Sequence, residues 1–364
     1  MSTLLIITAT YPLGGITEPV FIRPEVETLC REFDRVIFAP VIDGTESEPL
    51  PANATVTRAL AGRLPLLKRL KGMFSLKVWR NVLADRHQLG SLRDLRGSLA
   101  HSIYSRHYRE RLLELIAAFG IDPTDTLVYT FWFTAATYAV TSIEGLRCVS
   151  RAHGHDIYPV QGCFLSHTQR NRALQRMLQL FAASDAGADF MRKCYPDNAA
   201  KITTARIGSR PPLGLNPAEG EPGVVTLLCV ARTEPVKRVP LLYSLLAAWA
   251  ESRQDLTVRW IYVGSGSEMP ALRAALAARC PSNLSVELPG ELENEEVQRL
   301  LATRHVDAVM LTSLSEGGCP VALSEALSYG VPVIATEVGG VGEIVTPPTG
   351  ALLSPPRLRR NLSP

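Results

Sequence analysis

Apolar residues in this chain gather in short continuous runs separated by turn-rich polar stretches. That pattern belongs to strands buried on both faces, not to strands with one wet side. Such runs lie at 4–8, 36–40, 127–131, from Cys148 onward, 224–231, 260–264, 286–289 and 331–336. Helices are predicted between them over 24–33, 240–250 and 320–329. Pro320 suits a first turn, where its missing N–H costs nothing, and Gly330 suits the position just past a helix end. Strand and helix therefore alternate, which predicts an α/β fold with parallel sheets. The stretch 209–223, SRPPLGLNPAEGEPG, is rich in Pro and Gly and has no apolar period, so it is expected to be a hinge-like linker. The expected organisation is an N-terminal domain over 1–209, the linker over 210–223 and a C-terminal domain over 224–364.

Composition narrows the class. At 364 residues the chain is long enough for two sizeable cores, and 46% apolar with 20% charged residues describes a soluble globular protein. The apolar runs fall short of a membrane span, and the N-terminus reads as a first strand, not as a leader, so a cytoplasmic location is expected. A net charge of +3 is too mild to argue for nucleic acid. Seven cysteines without a C-x-x-C pair are expected to be reduced core residues. No metal site is expected, since His153 and His155 have no further ligand at metal spacing.

Candidate chemistry concentrates between Leu311 and Val345. Glu316 and Glu325 flank the turn Gly317-Gly318-Cys319 and a helix start whose free N–H groups favour an anion. A phosphate suits that position. Glu325, more than a turn into the helix, is placed to accept from a pair of ribose hydroxyls, and Glu316 from sugar hydroxyls. Arg232 and Lys237, five apart in a strand-to-helix loop, put two cations at the carboxyl edge of a sheet. Gly264 and Gly266 form a G-x-G, but without a third glycine or a following acid it is a weak dinucleotide signal. In the first half, Gly14 and Gly15 close a loop after the first strand. His153-Gly-His-Asp156 ends a later strand, where an imidazole can hydrogen-bond a sugar hydroxyl and titrates near neutrality. From Arg63 to Arg80 there are six basic residues, no acid, and leucines at helical spacing. Two readings stand for that stretch: an amphipathic surface for an anionic membrane, or a helix whose apolar stripe packs on its own domain.

Together these motifs resemble the GT-B-fold retaining glycosyltransferases of family 4, the glycosyl transferases group 1 set, over nearly the whole chain. The resemblance implies two Rossmann-like doubly wound domains facing an interdomain cleft. It also implies a nucleoside-diphosphate sugar as donor with no cofactor, and a glycan or lipid-linked acceptor in surface polysaccharide or glycolipid synthesis. By the same match, Arg232 and Lys237 grip the diphosphate without a metal. Glu316, Gly317 and Gly318 meet the donor sugar and diphosphate, and Glu325 holds the ribose. His153 contacts the sugar near the reacting carbon, Asp156 orders its loop, and Gly14 and Gly15 admit the donor phosphates or the acceptor. The family spacing E-x7-E is here one residue longer, with the extra residue assigned to the 317–319 loop. After Gly350 nothing has helical period, so the family's C-terminal crossover helix is expected to be missing. A sugar-nucleotide epimerase of the same architecture and a non-catalytic sugar-nucleotide-binding protein are the alternatives. A peripheral position on the inner membrane face accompanies the lipid-linked acceptor.

Overall fold

The computed structural model describes residues 2–14, 17–45, 48–159 and 164–354. The chain divides into two compact units, Met1–Ile207 and Gly208–Pro364. The first is built on β1 (Thr3–Thr8), β2 (Arg35–Pro40), β3 (Ala54–Val56), β4 (Thr126–Thr130), β5 (Arg147–Ala152), β6 (Gln179–Ala182) and β7 (Ile202–Thr204). These pair in the order β3-β2-β1-β4-β5-β6-β7, every pair parallel. The second contains β8 (Val224–Val230), β9 (Thr257–Val263), β10 (Leu284–Gly290), β11 (Ala308–Leu311), β12 (Val333–Thr336) and β13 (Gly350–Leu353). Their order is β10-β9-β8-β11-β12-β13, again all parallel.

The continuous apolar runs explain both sheets. All six residues of β1 are buried, with Leu5 and Ile7 in the core on one face and Leu4 and Ile6 in that on the other. Each such side chain contributes about 1.5–3 kcal/mol relative to exposure. β8 is divided in the same way, Leu228 packing with Val309 and Leu323 and Leu227 with Tyr243 and Trp260. In each sheet the winding reverses once, between β1 and β4 and between β8 and β11. Loops leaving the carboxyl ends of strands at such a reversal splay apart and leave room for a ligand.

Two expected boundaries move. The first helix runs over Thr17–Glu32 with Pro24 inside it, not from Pro24 onward. Its buried Ile22, Val26 and Cys30 recur every four residues across the proline, so packing holds one helix through a residue that removes a single internal bond. β12 begins at Val333, not Val331, because Pro332 has no N–H for a ladder. The glutamate-bearing helix runs over Val321–Ser328, with Pro320 as its N-cap and Gly330 just beyond it at φ 78°.

Candidate functional site

In the second unit the loop after β8 is clamped to the loop after β9. Ala231 N donates to Val263 O (3.1 Å) and Thr233 N to Ser265 O (2.7 Å). Tyr262 Oη donates to Ala231 O (2.8 Å), so its 2.5 Å contact with Thr233 Oγ1 has the threonine as donor. Gly264 (φ 149°) and Gly266 (φ 153°) explain the G-x-G. A Cβ on the first would lie 1.9 Å from Ala231 O and on the second 2.7 Å from Thr233 O. They are there for close backbone approach, and Arg232, on the loop they admit, is exposed. Glu234 accepts from Ser267 Oγ (2.7 Å) and N (3.3 Å), which holds its carboxyl below the usual range.

The same loop is stitched to the one after β11. Leu314 N donates to Val236 O (2.7 Å), and Arg238, in a left-handed conformation (φ 52°), donates Nε–H to Thr312 O (2.7 Å). A non-glycine residue pays strain for that geometry, and here the side-chain bond offsets it. Lys237 and Glu316 are thereby brought together as a largely buried ion pair, Nζ to Oε1 at 2.5 Å. A third loop, after β12, backs the glutamate. Gly339 (φ 55°) lies so close that a Cβ would sit 1.7 Å from Glu316 O, and Cys319 Sγ donates to Gly340 O (3.3 Å). Pro320 gives the helix start no side-chain cap, and Val321 and Ala322 N–H have no protein acceptor among the described residues.

Glu325 is 4% exposed. Its Oε1 accepts from Asn294 Nδ2 and Gln298 Nε2, both at 2.8 Å, and Oε2 accepts from no protein group among the described residues. Burial raises its pKa, opposed by these two amides and by the charge of Arg210. Tyr329 Oη in turn fixes Gln298 by donating to its Oε1 (2.6 Å). Asn294 and Gln298 went unnoticed in the sequence; the signal was an amide pair one helical turn apart just after a strand end.

In the first unit Gly14 adopts φ 105°, a backbone reason for glycine, while Gly15 lies outside the described residues. The group that organises this edge is Glu18, which sequence reasoning missed. Its carboxylate accepts from the N–H groups of Ala9 (2.7 Å), Thr10 (2.5 Å) and Tyr11 (2.8 Å) and from Trp132 Nε1 (2.6 Å). One acid thus ties the loop after β1 to the loop after β4. It was hidden because the helix was started at Pro24; from Thr17 onward Glu18 is a first-turn acid.

His153 sits against Trp132, ring centroids 4.3 Å apart, and its Nε2 is 3.0 Å from Phe131 O. A carbonyl only accepts, so Nε2 carries the proton. Nδ1 is then a buried lone pair with no partner among the described residues. Burial pushes the imidazole pKa down to about 4, so the expected titration near neutrality does not occur. Asp156 accepts from His153 N and from Phe133 N (2.8 Å), which ties the ends of β4 and β5 together. His155 is exposed, and no group of three or more His, Cys, Asp or Glu suited to a metal occurs among the described residues.

Residues 224–362 match the family model described as Glycosyl transferases group 1. Over 121 residues the chain is 31% identical to a component of the human phosphatidylinositol N-acetylglucosaminyltransferase, covering 33% of this chain and 24% of that protein. Over 165 residues it is 29% identical to the amylovoran biosynthesis glycosyltransferase AmsK of Erwinia amylovora, covering 43% and 39%. The chain thus spans well under half the length of either relative. The structure of Anabaena HepE in complex with UDP superposes with a TM-score of 0.57 at 17% identity, covering 98% of this chain and 86% of that one. The chain has the GT-B fold, two parallel α/β sheets of seven and six strands, and its second unit is similar to group 1 glycosyltransferases.

Proposed function

We propose that the chain is a retaining, metal-independent glycosyltransferase of family 4. It would move a sugar from a nucleoside-diphosphate sugar to a glycan or lipid-linked acceptor, in surface polysaccharide or glycolipid synthesis. The observation that carries this reading is the edge at the β8–β11 reversal. There Arg232, the Lys237–Glu316 pair and an uncapped helix start leave from adjacent strand ends, and the helix that follows carries Glu325. Breaking the bond from anomeric carbon to phosphate oxygen leaves negative charge on the diphosphate. Two cations and helix N–H groups stabilise that charge where it develops. Glu325 meets the ribose hydroxyls with its uncommitted Oε2, while Asn294 and Gln298 hold its other oxygen. Glu316 steers Lys237 and accepts from the donor sugar. In the first unit, His153 Nδ1 is an acceptor suited to a sugar hydroxyl and Asp156 fixes its loop. Retention follows a front-face path in which the leaving phosphate assists acceptor deprotonation and no protein nucleophile is needed. The similarity to a phosphatidylinositol glycosyltransferase and to an amylovoran biosynthesis enzyme supports both acceptor classes. A lipid-linked acceptor accords with a peripheral position on an inner, anionic membrane face. No helix among the described residues is long and apolar enough to cross a membrane.

The test is a mass-spectrometric donor screen with purified protein, with and without acceptor mixtures. Acceptor-dependent glycosyl transfer with the donor's anomeric configuration kept, read by NMR, is the expected result. Donor isomerisation without acceptor would instead indicate an epimerase, and binding without turnover a sugar-nucleotide-binding protein.

A further inference from the structure

The stretch from Arg63 to Arg80, open in sequence between a membrane-facing and a core-packed reading, folds into two short helices. They run over Leu66–Met73 and Leu76–Ala84 and join at Phe74 and Ser75. A surface helix normally turns its apolar stripe inward. Here the stripe faces out. The first helix buries only Gly72, where a Cβ would come within 3.0 Å of the Ile103 side chain, and the second only Val78 and Val82. Leu66 is 70% exposed, Leu67 72%, Phe74 86% and Leu76 87%. The turn that presents them is braced. Arg106 donates to Ser75 Oγ (2.8 Å) from the helix Leu92–Ala118, and Trp79 Nε1 to Met73 O (2.6 Å). Within 63–80 the charge has one sign, with no Asp or Glu: Arg63, Lys68, Arg69, Lys71, Lys77 and Arg80 are all exposed, and Lys68 reaches Glu110 of the helix Leu92–Ala118 at 3.6 Å.

We propose that this helix pair is a foot that inserts into an anionic lipid leaflet. Leu66, Leu67, Phe74 and Leu76 enter the acyl boundary, while the cations, Lys71, Lys77 and Arg80 among them, stay at the headgroup phosphates. Charge selects an anionic partner. Apolar tips alternating with cations suit a fluid interface, which takes up protruding side chains of any outline. The inference rests on the membrane-peripheral part of the proposed function and adds that attachment requires insertion beyond adsorption by charge. It also assigns the contact to the first unit.

The experiment uses the full chain and vesicles of phosphatidylcholine with or without phosphatidylglycerol, read by co-sedimentation and by quenching of tryptophan emission with brominated lipid. The wild type is expected to sediment with anionic vesicles only, with quenching that Trp79→Phe removes. The triple variant Leu66→Ser, Phe74→Ser, Leu76→Ser, exposed throughout and so expected to keep its melting temperature, should bind about tenfold more weakly or worse. The variant Lys71→Gln, Lys77→Gln, Arg80→Gln should lose its preference for anionic vesicles. Equal binding by wild type and serine variant would overturn insertion and leave adsorption by charge. No wild-type binding to any vesicle would overturn the membrane-peripheral reading as well. A wild-type dimer that the serine variant dissolves would replace the leaflet with a second copy of this chain.

Discussion

Lys237 and Glu316 neutralise each other at 2.5 Å in a mostly buried position, whereas Arg232 stands exposed on the same loop. Their loss should therefore differ in kind. Lys237→Ala strips the partner from a buried carboxylate and should cost about 1–3 kcal/mol of stability in addition to lowering kcat/KM by about a hundredfold. Arg232→Ala should lower kcat/KM comparably with the denaturation midpoint unchanged. Steady-state kinetics beside urea titration separate the two, and equal stability losses would contradict the burial difference. Glu325 makes the opposite trade. Burial raises its pKa, opposed by Asn294, Gln298 and the charge of Arg210, so desolvation disfavours its charged form. Glu325→Gln keeps an acceptor for Asn294 and Gln298 and should leave stability equal or higher, while nucleotide affinity falls about tenfold by calorimetry. His153 is a third case. Its folded pKa of about 4 lies below its ordinary 6.5, so the unfolded chain binds the proton more readily. Its contribution is fully present above 6.5 and is lost as pH falls from 6.5 toward 4, in total roughly 3 kcal/mol. His153→Asn should flatten that slope in denaturation curves measured across this range.

At the scale of elements, the site depends on three loops held at backbone distance, and glycines set that distance. Gly339 approaches Glu316 O where no side chain fits, at a φ of 55° that disfavours one. Gly339→Ala must push the loop after β12 away from the loop after β11, shifting Glu316 and with it Lys237. The expected outcome is a loss of about 2 kcal/mol or more in stability and a donor KM raised about tenfold, read by thermal melts and kinetics. An unchanged KM would mean the glutamate's position does not depend on that contact. The helix at Thr17 illustrates the other device, an acid in a first turn. Glu18 gathers the N–H groups of the preceding loop instead of capping only its own helix. Both devices make loop geometry a property of packed elements, which is what a site on the carboxyl edge of a sheet requires.

For the molecule as a whole, the proposed function gives two sheets wound alike different work. A nucleoside diphosphate at saturating concentration should slow amide hydrogen exchange in 231–238 and 314–323 of the second unit more than anywhere in the sheet of the first. Protection confined to the first unit would reverse the assignment of donor binding. The two-sheet α/β architecture was legible in the sequence because strands buried on both faces must be apolar along their whole length. Runs such as TLLIIT and VVTLLCV state that without reference to anything distant. Lys237, Glu316 and Glu325 were singled out in the sequence because the proposed phosphate and ribose contacts call for particular residue types near a helix start. Sequence could not decide which groups those residues bind in the folded chain. The Lys237–Glu316 pair, the Asn294 and Gln298 clamp and the reach of Glu18 to Trp132 join residues 79, 31, 27 and 114 positions apart. Nor could it decide which way the apolar stripe of Leu66–Met73 faces, since periodicity fixes that a face exists and only packing against Ile103 fixes where it points. Local composition sets what each element is; long-range contacts set which of its side chains are left free to act, and only the tertiary fold supplies those.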